Sequence, residues 1–256
     1  MDEEAPRPKR PRGIYLLPNL FTTAALFAGF YAVVAANQGR FEPAAIAIFA
    51  AMILDGLDGR VARLTHTQSD FGAEYDSLSD MVAFGVAPGL VAYQWALSGL
   101  GKVGWFAAFV YTAGAALRLA RFNTQIGIAD KRYFQGLPSP SAAAIIASAV
   151  WIGADFGIVG ARVSWLVAFI TAGAGLLMVS NFRFHSFKDL NLHGRVPFML
   201  AVGVMLVFAF VFIHPPVILF MGFMAYAVSG PVLTLARRRQ RLAQRRRLGS
   251  DQTPPG

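Results

Sequence analysis

No cysteine occurs anywhere in these 256 residues. That removes disulfides, thiolate metal sites and cysteine nucleophiles. Charge is also scarce: only 14% of the residues are Asp, Glu, Lys or Arg, where soluble domains carry about a quarter. Acids are the scarcer sign, 14 against 23 Lys and Arg, for a net charge of +9. Histidine is rare too; His66, His185, His193 and His214 are scattered and show no metal-ligand spacing. No cleavable leader is read: a basic, proline-rich start runs straight into an apolar stretch long enough to span a membrane.

What is abundant is hydrocarbon. The chain is 55% hydrophobic with mean hydropathy +0.49. Apolar stretches recur from end to end, which predicts an all-α, polytopic membrane protein. Eight helical spans are expected, near 14–36, 43–64, 71–98, 103–123, 139–158, 163–181, 196–214 and 216–236. Residues 1–13 read as a basic tail, 14–236 as the membrane domain, and 237–256 as a second basic tail without order. Pro138 and Pro140 are placed to start a helix.

An even span count puts both termini on one side, and positive charge selects the cytoplasm. That orientation gathers 20 of the 23 Lys and Arg on the cytoplasmic side, leaving only Arg40, Lys102 and Arg162 elsewhere. The arginine run Arg237–Arg247 is read as a topology anchor for anionic lipid, and no nucleic-acid partner is expected.

Against this background, residues 55–80 hold six of the 14 acids: Asp55, Asp58, Asp70, Glu74, Asp76 and Asp80. A carboxylate in or near hydrocarbon is expensive, so such acids mark function. Asp55 and Asp58 are three apart, and Asp76 and Asp80 four apart, so each pair shares a helix face. About 12 residues of the second span precede Asp55, roughly 18 Å of helix, short of a ~30 Å hydrocarbon core. The acids therefore lie at or somewhat below the cytoplasmic surface. Four clustered carboxylates need cations, which points to two hard divalent metals, Mg²⁺ or Mn²⁺, and a phosphate substrate. Ser69 or Asp70 is placed to cap the third helix, with Asp70 read mainly as a cap. Glu74 falls just off the face of Asp76 and Asp80, and His66 is an alternative general base in the intervening turn.

The pattern D-x-x-D-G-x-x-A-R-x8-G-x3-D-x3-D, here Asp55, Asp58, Gly59, Ala62, Arg63, Gly72, Asp76 and Asp80, resembles the signature of the CDP-alcohol phosphatidyltransferases. It is matched without departure. LPNLFTTAALFAGFYA, SDFGAEYDSLSDMVAFGVAP, ALRLARFNTQ, KRYFQGLPSPSAA and SNFRFHSFKDL further resemble the bacterial phosphatidylserine synthases within that family. These blocks spread over residues 17–190; the last two spans carry none.

The resemblance implies a six-helix core with an accessory C-terminal pair, in a bacterial inner membrane, with the active site facing the cytoplasm. It implies transfer of phosphatidyl from CDP-diacylglycerol to the L-serine hydroxyl, with release of CMP. Carried over, Asp55, Asp58 and Asp76 are metal ligands, and Asp80 is ligand, general base or both. Gly59, Ala62, Arg63 and Gly72 would line the CDP site. Arg118 and Arg121, a turn apart, are candidates for the serine carboxylate; Lys131, Arg132 and Arg183 could serve there or on lipid headgroups. A homodimer is also implied. Two alternatives stand beside this reading: another acceptor such as glycerol 3-phosphate or an inositol phosphate, and a divalent-cation transporter whose acids line a pathway.

Overall fold

The computed structural model describes residues 16–65, 67–124, 133–185 and 198–250. Helices dominate. α1 (Leu16–Asn37) and α2 (Phe41–Leu64) form a hairpin turned by Gly39, whose φ of 72° suits a residue without Cβ. A continuous helical stretch from Asp70 to Leu100 follows. It comprises α3 (Asp70–Asp80), a π-helical segment Met81–Val86, α4 (Ala87–Ala92), a second π segment Tyr93–Leu97 and a final 3₁₀ turn. Next come α5 (Lys102–Thr124), α6 (Ser139–Asp155) and α7 (Ser164–Val179). α8 (Phe198–Ile213) and α9 (Pro215–Ser250) complete the chain, parted only by a bend at His214.

Helical stretches thus fall where the apolar runs predict them, and α6 starts between Pro138 and Pro140 as expected. By length and composition four are able to cross a membrane: Leu17–Asn37, Asp70–Leu100, Lys102–Thr124 and Pro215–Thr234.

The fold is helical as expected, apart from one short ribbon in which Tyr133–Gln135 pairs antiparallel with Arg183–His185. The basic segment expected to lack order differs from that expectation, being helical through Ser250. Its Arg, Gln, Leu and Ala are good helix formers, and no proline interrupts it after Pro231. Residues 1–13 and 251–256 lie outside the described residues.

The packing inverts that of a soluble protein. The interior is built largely of alanine: Ala25, Ala32, Ala35 and Ala36 of α1 meet Ala44, Ala45, Ile48 and Ala51 of α2. Large apolar residues such as Phe27, Phe106, Trp165 and Phe169 point outward, Phe169 being 79% exposed. Small residues let helices approach closely where lipid, not water, is the surrounding solvent.

The α5–α7 contact shows how tight this is. A Cβ on Gly175 would lie 2.7 Å from Tyr111 Cα, and one on Gly114 would run into the Gly175 carbonyl. Backbone cannot yield as a side-chain tip can. Gly175→Ala is therefore expected to destabilise by about 1–3 kcal/mol through overpacking. Gly173→Ala, two residues away with nothing within 4 Å of its Cβ, is expected to be neutral or slightly stabilising, since Ala favours helix over Gly. Thermal unfolding of both variants in detergent checks the contrast; equal melting temperatures would refute it.

Candidate metal and phosphate site

α2 delivers Asp55 and Asp58 near its C-terminal end, and α3 delivers Asp76 and Asp80. Ser69 starts α3: its extended backbone and hydroxyl cap the helix, with the Gly72 amide donating to Ser69 Oγ at 3.0 Å. Asp70 is thus the first helical residue rather than the cap, where its charge suits the helix dipole. Asp70 and Glu74 are both exposed, away from the other acids.

Asp55, Asp76 and Asp80 each present a carboxylate oxygen within 4.8 Å of the other two. Asp58 is buried and stands to one side, where Oδ2 accepts the Thr22 hydroxyl at 2.7 Å. Asp76 Oδ1 is buried and has no hydrogen-bond partner. A buried, unpartnered carboxylate oxygen is a costly arrangement for a protein alone. It fits a hard cation: acceptor-only oxygens, converging from two helices, with one of them still lacking its partner. The acidic group is thus able to hold a divalent metal.

Among the described residues, Arg118 brings a cation to this interior. Arg118 of α5 is half-buried and lies within electrostatic reach of both Asp55 and Asp80. Its Nη1 donates to Ser139 Oγ, at the start of α6, at 2.6 Å. Tyr111 and Tyr226 lie within reach of the same guanidinium. Tyr111 is fully buried and donates to the Phe84 carbonyl at 2.8 Å, inside the π segment that follows Asp80. That bond ties the helix bearing Arg118 to the helix bearing Asp80.

The remaining sequence candidates divide. Gly59 is exposed, and a Cβ there would meet nothing within 4 Å, so protein packing does not demand a glycine. Gly72 packs more closely, its Cβ position lying 3.1 Å from Ser69 Oγ. Ala62 is half-buried. Arg63 is exposed and folds back, Nε donating to the Gly59 carbonyl at 2.9 Å. Arg121 turns to Asn181, with Nη1 3.3 Å from its Oδ1. His66, Lys131 and Arg132 lie outside the described residues, as does the Arg183 side chain.

Several site residues carry no signature in the sequence. Thr22, Ser139 and the Asn123–Ser77 pair, 3.0 Å apart, support the acids or Arg118 through hydroxyls and an amide.

Known proteins resemble this chain over most of its length. The family model described as CDP-alcohol phosphatidyltransferase matches residues 15–178. A CDP-diacylglycerol–serine O-phosphatidyltransferase of Helicobacter pylori is 38% identical over 195 residues, covering 76% of this chain and 82% of the relative. The protein of that name from Mycobacterium tuberculosis is 39% identical over 181 residues, 68% of this chain and 63% of its own. The one from Bacillus subtilis is 34% identical over 172 residues, 67% and 91% respectively.

Proposed function

From the premise that this chain belongs to the CDP-alcohol phosphatidyltransferase family, we propose that it moves the phosphatidyl group of CDP-diacylglycerol onto the hydroxyl of L-serine, giving phosphatidylserine and CMP. The observation that carries this reading is the convergence of Asp55, Asp76 and Asp80 within 4.8 Å, with Asp76 Oδ1 buried and unpartnered. The three relatives above, all named for serine as acceptor, support the choice of alcohol.

In this reading Asp55, Asp58, Asp76 and Asp80 hold two divalent ions, Mg²⁺ or Mn²⁺. Bound there, such ions neutralise pyrophosphate oxygens and the charge that develops on the departing CMP. The residues do the rest. Asp80 takes the proton of the serine hydroxyl as the new oxygen–phosphorus bond forms and the bond to CMP breaks. Arg118 receives the serine carboxylate, for which a guanidinium fork is well shaped; Arg121 assists at the rim. Exposed Gly59, with open space above it, lets the nucleotide approach the α2 backbone. Ala62, Gly72 and Arg63 line the same site, Arg63 swinging from its own helix to a phosphate.

The protein spans the membrane eight times with both termini cytoplasmic, as the charge asymmetry favours. The site then opens where serine and CMP diffuse. The arginine-rich end of α9 meets anionic lipid. The chain acts as a homodimer.

The deciding experiment is CMP release by purified protein given CDP-diacylglycerol and one alcohol at a time, with Mg²⁺ or Mn²⁺ titrated. Serine-dependent, metal-dependent release is expected. Release with glycerol 3-phosphate but not serine would move the assignment to another acceptor. Metal flux into vesicles without any CMP release would move it to transport. Stripping the metal with a chelator is expected to abolish release, and readdition to restore it.

A further inference from the structure

We infer that Thr22 of α1 is a positioning residue for the metal centre: its hydroxyl takes Oδ2 of Asp58 and so sets which oxygen that carboxylate offers to a ligand. This rests on the two-metal reading above.

The case begins with an internal comparison. A threonine inside a helix ordinarily returns its hydroxyl proton to the carbonyl four residues back. Thr23 does so, donating to the Asn19 carbonyl at 2.7 Å. Thr22, its neighbour on the same helix, lies 3.2 Å from the equivalent Pro18 carbonyl but only 2.7 Å from Asp58 Oδ2. The hydroxyl has one proton to give, and the shorter contact to a carboxylate is the stronger claim on it. Thr22 and Asp58 are each 4% exposed, so water does not compete on equal terms.

The backbone of the same residue faces the other metal-bearing helix. Ser79, buried and adjacent in sequence to Asp80, donates its hydroxyl to the Thr22 carbonyl at 3.0 Å. One residue of α1 therefore holds the side chain of Asp58 on α2 and the segment carrying Asp80 on α3. α1 itself contributes no charged residue, so its part in the site is to orient acids that belong to its neighbours. Asp58 is not among the three carboxylates gathered within 4.8 Å of one another, and its Oδ2 is engaged by the Thr22 hydroxyl. Outer hydrogen bonds of this kind typically tune metal affinity by about 10–100-fold.

The test is a Mn²⁺ titration of the purified full-length protein in detergent, reading free Mn²⁺ by electron paramagnetic resonance without any turnover. Thr22→Val keeps the shape and removes the hydroxyl; Thr22→Ser restores it. The valine variant is expected to bind Mn²⁺ roughly 10-fold more weakly, with the serine variant within about twofold of the parent. Loss of packing alone would not be rescued by serine, which is the smaller residue. If Thr22→Val is not recovered folded, Thr22→Ala against Thr22→Ser makes the same comparison. Mn²⁺ binding unchanged in a folded hydroxyl-less variant, or no rescue by serine, overturns the inference alone. Failure of the parent protein to bind Mn²⁺ overturns the two-metal reading, and the inference with it.

Discussion

Replacing Asp80 by Asn is expected to reduce serine-dependent CMP release by roughly 10³-fold or more, at the upper range for loss of a general base. Asn matches Asp in size and keeps an oxygen, so packing around the start of the π segment is conserved. What it loses is the ability to accept a proton and one unit of negative charge. Binding of CDP-diacylglycerol, measured by its own titration, is expected to remain largely intact, because Asp55, Asp58 and Asp76 still face the pyrophosphate. Asp58→Asn is expected to weaken metal-dependent binding as well as turnover. The two variants thus separate the base from the ligands. An opposite effect on stability guards the result against a trivial explanation. Asp80 stands within reach of Asp55 and Asp76, with Arg118 the neighbouring cation. Neutralising it relieves like-charge repulsion in metal-free protein, so the Asn variant is expected to melt no lower than the parent. Normal turnover by Asp80→Asn would place the base elsewhere and return attention to His66. A collapsed melting temperature would mean that Asp80 matters to folding first.

The acids could be read from the sequence because their expense is visible there. Few other charged residues compete for notice among the apolar helices, and the acids' three- and four-residue spacing sets their faces. Asp70 and Glu74 share the stretch but not the site, since they fall on the exposed side of α3. The helices were legible for the same reason, as each apolar run is long and bounded. Other features left no such trace. Thr22 is a hydroxyl in an uncharged helix, and no spacing distinguishes it from Thr23; only the placement of Asp58 does. The π segments Met81–Val86 and Tyr93–Leu97 have compositions that an ordinary α-helix would accept. Two carbonyls of the first find partners on α5, where Tyr111 and Thr112 reach Phe84 and Gly85, and that is a tertiary fact. The ribbon of Tyr133–Gln135 with Arg183–His185 is too short for an alternating pattern to register. Residues 237–250 misled in the other direction: a dense run of arginines reads as solvated tail, yet its intrinsic preference is helical.

Arg118→Lys is the second variant with a large expected effect, and it decides what the interior cation is for. Lysine keeps the charge beside Asp55 and Asp80 but loses the planar fork. If Arg118 grips the serine carboxylate, one or two charge-assisted hydrogen bonds are lost, each worth about 1.5–3 kcal/mol. At 1.4 kcal/mol per tenfold, KM for serine is expected to rise roughly 10–100-fold, with CDP-diacylglycerol binding little changed. The rival role is purely internal, with the guanidinium balancing the acids and bracing α5 against α6 through Ser139. Ethanolamine separates the two, because it offers the same hydroxyl and amine without the carboxylate. A residue that reads the carboxylate affects serine alone, so slow turnover of ethanolamine is expected to be unchanged in Arg118→Lys and the preference for serine to shrink by the factor seen in KM. A residue that only holds the acids in place affects both alcohols equally, and it lowers kcat rather than raising KM. Arg121 gives a graded comparison: bonded to Asn181 at the exposed rim, it is expected to change serine KM by less than Arg118 does. Equal losses with both alcohols in Arg118→Lys would remove serine recognition from this residue and leave it as the counter-charge of the acidic group.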